Sequence, residues 1–317
     1  MVEGQPAPAD DLSPLFVQEL LVELRAGRYS PSAWLRFLHR SWQRSVDDAR
    51  SSPALLGSLV RQSALLEALA LAALLWQWRR SAAGDSFRQA RRATWLVLVQ
   101  QGYVALHLGM TQTEHTTPRF ASLGAANFLT LLRGVCATLL FTTGSTELPL
   151  FRLLVIIGGS TDALDGAVAR RLRTESRLGR MLDPAADICF YSTAVLAAVR
   201  RGTLPRWFGW LVLARFLAPA GAGFYRYFRW ARTLEAAHTA WGKVAGVLLT
   251  LLVVLSSVRS RTARALCVPT SALLTVAGAL QCRRALQPSS WAGATDTHKM
   301  IRQAAASRRL ETIEITG

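Results

Sequence analysis

Between residues 125 and 282 the chain is a series of apolar runs about as long as a bilayer is thick. That pattern restricts the fold more than any other feature. Runs near 125–143, 150–170, 182–199, 207–224, 239–258 and 264–282 each approach the roughly 20 residues a helix needs to cross a hydrocarbon core. In lipid a spanning segment must satisfy its own backbone polar groups, which leaves helices or closed barrels. Continuous apolar runs, as opposed to alternating ones, select helices. The expected fold class is an all-α polytopic membrane protein with a six-helix transmembrane core.

Composition agrees. Hydrophobic residues make up 51% and charged residues 18%, against roughly 25% charged in an average soluble protein. The net charge of +17 comes almost wholly from arginine, with Lys243 and Lys299 the only lysines. Such an excess fits nucleic acid, an anionic membrane surface or anionic substrates. The arginines cluster between apolar runs, which favours the lipid bilayer as partner and gives no reason to expect nucleic acid. Cys136, Cys189, Cys267 and Cys282 show no CxxC spacing and read as small buried residues. The opening MVEGQPAPADD lacks a basic stretch followed by an apolar core, so no cleaved signal peptide is expected.

The chain divides into an N-terminal amphipathic helical region (1–60), two apolar helices (61–115), a membrane domain (120–285) and a polar tail (286–317). Residues 13–26 and 31–50 read as amphipathic helices, the first starting at Ser13-Pro14. Two roles remain open for them: lying on the membrane surface, or forming a small soluble hairpin. The apolar runs near 63–78 and 93–110 contain Glu67 and Gln100, Gln101 and His107, and they read as doubtful spans. The arginines at 170, 171, 173, 177 and 180 put the loop near 170–180 on the cytoplasmic side. The rule is imperfectly obeyed. Arg200, Arg201 and Arg206 would face outward, as would the Arg79–Arg92 linker if both doubtful runs span.

The chemistry sits where the second and third core spans meet. Asp162 and Asp165 are three apart and Asp183 and Asp187 four apart, so each pair shares a helix face. A short loop makes the two helices antiparallel neighbours, with all four carboxylates at the cytoplasmic end of a two-helix seam. Uncompensated carboxylates near a bilayer are costly. A hard divalent cation with oxygen ligands would neutralise them, and a pair of cations would also grip a pyrophosphate. Gly166 and Gly179 leave room for a nucleotide beside the backbone, and Arg170 is placed to hold a phosphate oxygen. The structural alternative is a set of buried ion pairs between these aspartates and nearby arginines.

The segment Asp162-x2-Asp165-Gly166-x2-Ala169-Arg170-x8-Gly179-x3-Asp183-x3-Asp187 resembles the signature of the CDP-alcohol phosphatidyltransferase family at every specified position. The resemblance covers roughly residues 120–285. It implies two Mg or Mn ions held by Asp162, Asp165 and Asp183, with Asp187 also at the metals and acting as the catalytic base. It further implies that Gly166, Ala169 and Gly179 line a CDP pocket with Arg170 nearby. The reaction would pass a phosphatidyl or similar group from a CDP-linked lipid to an alcohol, releasing CMP. Ala126-Asn127-x2-Thr130-x2-Arg133 is similar to a second family motif whose Asn and Thr bind the CDP part; its leading proline is replaced by Ala126. Arg215 and Lys243 are similar to basic positions that hold a phosphorylated acceptor, against plain snorkelling or pairing as alternatives.

Leu204-Pro205-x-Trp207, leading into Arg215, resembles the phosphatidylglycerophosphate synthases of this family, which implies glycerol 3-phosphate as the acceptor, with inositol phosphate, serine or an aminoalcohol as alternatives. Family members commonly dimerise, so a homodimer is expected; the loop arginines put the active site on the cytoplasmic face of what is expected to be a bacterial inner membrane. From a different class, intramembrane aspartates also mark cation transporters. Those sites usually lie near the midplane, whereas these four are expected at a helix end.

Overall fold

The computed structural model describes residues 12–80, 86–111, 122–143, 148–230 and 240–286, and among them there is no strand. The elements are α1 (Leu12–Ala26), α2 (Pro31–Arg50), α3 (Pro53–Trp78), α4 (Ser86–Ala105), a 3-10 turn (Leu108–Thr111), α5 (Gly124–Thr143), α6 (Leu148–Leu172), α7 (Arg177–Arg200), α8 (Arg206–Trp230), α9 (Ala240–Ser256) and α10 (Ser260–Leu286). The six expected core runs become α5 to α10. The polar tail from 287 onward, the opening residues 1–11 and most of the 144–149 turn lie outside the described residues.

Local chemistry sets several boundaries. Ser30 caps α2, its hydroxyl accepting from the Ala33 amide, and Pro31 follows in the first helical turn. Ser176 caps α7 in the same way, accepting from the Gly179 amide at 3.1 Å. α6 ends through Arg173, whose φ of 52° lies in the left-handed region. The Thr174 amide then bonds back to the Ala169 carbonyl.

Among the described residues five helices, α3, α5, α7, α8 and α10, are long and apolar enough to cross a membrane, and Val244–Ser256 of α9 is a shorter apolar helix. α5 is the most enclosed of the five, with 61% of its apolar window buried against 17–39% elsewhere. It packs chiefly on α6 and α7, while α10 packs on α8 and α9, and α4 joins α3 to α5. This corrects the two-helix seam: α6 and α7 touch each other little, because α5 lies between them.

Of the two doubtful runs only the first changes; α4 is not among the helices long and apolar enough to cross a membrane. The first is not a short segment near 63–78 but the 26-residue α3 starting at Pro53. Its polar residues are the ones that join helices. Glu67 accepts from the Thr94 hydroxyl of α4 at 2.5 Å, and Gln62 donates to the Gly124 carbonyl at 3.2 Å. In α4, Gln100 donates to the Leu131 carbonyl of α5 at 2.8 Å. Gly134 makes room for it, since a Cβ there would meet the Gln100 amide at 2.6 Å. The cysteines are all unpaired; Cys136 and Cys267 are buried as expected, but Cys189 is exposed and Cys282 intermediate.

Candidate active site

Asn127, Thr130 and Arg133 recur every three residues along α5 and so share the face turned to α6 and α7. Each meets one layer of the sequence motif. Nearest the α6–α7 loop is Gly179, whose Cβ, if present, would sit 2.9 Å from the Asn127 side-chain oxygen. The Asn127 amide itself donates to the Leu123 carbonyl at 2.7 Å. One turn deeper, the Thr130 hydroxyl donates to Asp183 at 2.7 Å and lies 3.4 Å from Asp165. Deeper again, the Arg133 guanidinium donates to both Asp165 and Asp187 and stands 3.5 Å from Asp162. The Arg133 side chain is wholly enclosed.

The structure therefore brings all four aspartates together, but not where the sequence reading put them. Asp162 and Asp165 lie ten and seven residues before the end of α6, and Asp183 and Asp187 six and ten residues into α7. At about 1.5 Å per residue this is about 10–15 Å inside the helices. Both helices run on past the carboxylates, so the site is a recess in the bundle and not a feature of the helix ends. Asp162 and Asp187 are about one-third exposed while Asp165 is 8% exposed, so the recess opens on the Asp162–Asp187 side.

Two further side chains complete the site. Tyr191, one turn beyond Asp187 on α7, donates to Asp162 at 3.3 Å. Its oxygen also lies 3.1 Å from the Thr250 hydroxyl of α9. The Tyr191 ring stacks on Phe216 of α8 with centroids 5.6 Å apart and planes 6° from parallel. Sequence reasoning missed Tyr191 and Thr250, which lie outside the motif in otherwise apolar runs. It passed over Arg133 as the closing residue of a weaker motif, although a buried arginine in an apolar helix was signal enough.

The remaining expected residues are distributed as follows. Gly166 lies beside Arg170, whose guanidinium a Cβ there would meet at 3.2 Å. The Gly166 amide donates to Asp165 at 2.6 Å. Ala169 is half-buried and Arg170 exposed at the loop end of α6. Arg215 is buried on α8, but it turns to α10, donating to Gln281 at 2.5 Å beside Gly278. Its Nε is buried without a partner, and no carboxylate among the described residues pairs with it. Its guanidinium lies over the Phe216 ring, 5.3 Å from the centroid, and that ring stacks on Tyr191, which reaches Asp162. The Lys243 side chain lies outside the described residues.

Among the described residues no three acidic, His or Cys side chains form a ready metal cage. The physical reason is Arg133, whose guanidinium stands among three of the carboxylates. The ion-pair alternative is thus partly realised, through Arg133 of α5. The donor set still fits a divalent cation. It is all oxygen, it already gathers around a positive group, and one guanidinium cannot neutralise Asp162, Asp165 and Asp187 together.

An all-α bundle with membrane-length helices and an acidic recess ringed by a threonine, an arginine and a tyrosine defines an integral membrane protein with an anion-rich polar site. Residues 123–280 match the model of the CDP-alcohol phosphatidyltransferase family, and the chain belongs to that family. Similar proteins include a cardiolipin synthase (CMP-forming) of Streptomyces coelicolor, 41% identical over 20% of this chain and 29% of its own length. A CDP-diacylglycerol–glycerol-3-phosphate 3-phosphatidyltransferase of Bacillus subtilis is 35% identical over 22% of this chain and 36% of its own length. Cholinephosphotransferase 1 of Xenopus laevis is 49% identical over 15% of this chain and 13% of its own length. The chain thus spans well under half the length of each of these relatives. No solved structure matches it.

Proposed function

We propose that the protein transfers a phosphatidyl or similar group from a CDP-linked lipid to an alcohol, releasing CMP, in phospholipid synthesis. The observation that carries this reading is the convergence of Asp162, Asp165, Asp183 and Asp187 around one recess, inside a chain of this family. The four aspartates would hold two Mg or Mn ions, which when bound supply positive charge at the pyrophosphate and at the phosphorus under attack.

The chain's own residues do the rest. Asn127, Thr130, Gly166, Ala169 and Gly179 form the CDP side of the recess, with Arg170 at its loop end to meet a phosphate. Asp187, on the open side, takes the proton of the acceptor hydroxyl. The acceptor oxygen bonds to the phosphorus carrying the lipid, and the bond from that phosphorus to CMP breaks with its electron pair leaving on CMP. Arg215 and Lys243 hold a phosphorylated acceptor. The acceptor is glycerol 3-phosphate, which the printed name of the Bacillus subtilis relative supports. A second reading, favoured by the Streptomyces coelicolor relative's name, is a transfer whose product is cardiolipin.

In this reading residues 120–285 are the catalytic unit, with 1–60, 61–115 and 286–317 as additions. The protein is a homodimer in a bacterial inner membrane, its active site facing the cytoplasm, the side of the arginine-rich α6–α7 loop. The test is CMP release by purified protein given CDP-diacylglycerol, Mn or Mg, and a panel of glycerol 3-phosphate, phosphatidylglycerol, inositol phosphate, serine and aminoalcohols. One acceptor should support metal-dependent release with a matching lipid product. No release with any acceptor, from folded protein, would overturn the reading.

A further inference from the structure

α2 divides its circumference three ways. One side packs on the protein: Ala33 is buried, and Trp34 lies against Phe228 with ring centroids 5.4 Å apart. At about 100° per residue, Leu35, Leu38 and Trp42 fall in a second sector about 60° wide, and they are 68%, 57% and 59% exposed. Arg36, Gln43 and Asp47, also exposed, fall about 120° further round. A helix bordered only by protein and water has no use for the middle sector. Three large adjacent apolar side chains would then stay hydrated, at about 25 cal/mol for each Å² left in water.

The occupant follows from where the helix is held. At its N-terminal end the Tyr29 hydroxyl donates to the Phe228 carbonyl at 2.7 Å, two residues before α8 ends. At its C-terminal end only Ser51 and Ser52 separate α2 from the 26-residue α3. α2 therefore runs between the end of one membrane-length helix and the start of another. The exposed apolar surface continues at both places, through Phe224 and Tyr225 of α8 and Leu56 and Val60 of α3. A surface joined at both ends to lipid-facing helices meets lipid.

We propose that α2 is an in-plane interfacial helix. It lays Leu35, Leu38 and Trp42 into the headgroup–acyl boundary of the bilayer that α3 and α8 cross, and it turns Arg36, Gln43 and Asp47 to water. Of the two roles the sequence left open for this segment, the soluble hairpin is set aside. The inference stands independently of the enzymatic reading.

Single nitroxide labels test it on the full chain carrying Cys189→Ser and Cys282→Ser, in nanodiscs of phosphatidylcholine and phosphatidylglycerol. Labels go at Leu35→Cys, Leu38→Cys and Trp42→Cys, and at Arg36→Cys, Gln43→Cys and Asp47→Cys, so no single variant decides. Collisions with oxygen should exceed those with a water-soluble nickel chelate several-fold at the first three, and the order should reverse at the other three. Equal access of the chelate to all six would overturn the proposal by placing the stripe in water. Exclusion of both reagents from the first three would overturn it by showing a protein cover.

Discussion

The Arg133 guanidinium donates to Asp165 and to Asp187, tying α6 to α7 through a helix that lies between them. A wholly enclosed cation and three acids at one point make the cluster strong only while every member is present. Arg133→Met should destabilise the metal-free protein by about 3–5 kcal/mol, the scale for removing one partner of a buried pair. Added Mn should then raise the melting temperature more in the variant than in the wild type. Melting curves with and without Mn check this; an unchanged metal-free melting temperature would remove Arg133 as the structural counter-ion.

Tyr191 donates to Oδ2 of Asp162 while Arg133 lies nearest Oδ1, and the Tyr191 hydroxyl is itself steadied by Thr250. Tyr191→Phe keeps the ring stacked on Phe216 and loses only the hydroxyl. One lost hydrogen bond of about 1 kcal/mol predicts a fall in turnover of about fivefold. The Mn concentration for half-activation should rise while the acceptor KM stays put. A changed acceptor KM at constant metal dependence would contradict a positioning role on Asp162.

Gly179 faces the Asn127 side-chain oxygen so closely that a methyl group would come within 2.9 Å of it. Gly179→Ala must displace the Asn127 amide, which lies on the side of the recess proposed to take CDP. The KM for the CDP-lipid should rise more than that for the acceptor, measured by varying each substrate in turn.

Arg215 is buried against a neutral glutamine with its Nε unpartnered, and in the proposed reading this buried cation meets the anion of a phosphorylated acceptor. Arg215→Ala should raise the acceptor KM more than the CDP-lipid KM. The opposite split would take Arg215 out of the acceptor site.

The sequence made the six core helices and the four aspartates legible, because apolar run length and a long motif are properties of contiguous residues. What it hid was relational. The short loop between Asp165 and Asp183 suggested that α6 and α7 pair directly, and only packing reveals α5 between them. The same intervening helix turned Arg133 from the end of a weak motif into the centre of the site. Glu67 made α3 look too polar to span, yet it is hydrogen-bonded to Thr94 of the neighbouring helix. Tyr191 and Thr250 meet across 59 residues of chain, a distance no local pattern encodes.

The claim that the carboxylate recess is a metal-dependent transfer site is tested most directly at Asp183, which Thr130 of α5 holds in place. Asp183→Asn, reconstituted in lipid with CDP-diacylglycerol and saturating acceptor, should lose Mn-dependent CMP release by at least about a hundredfold, the scale for removing one preorganised electrostatic group. It should still insert and fold. Near-normal CMP release by that variant, with the wild-type dependence on Mn, would contradict the account.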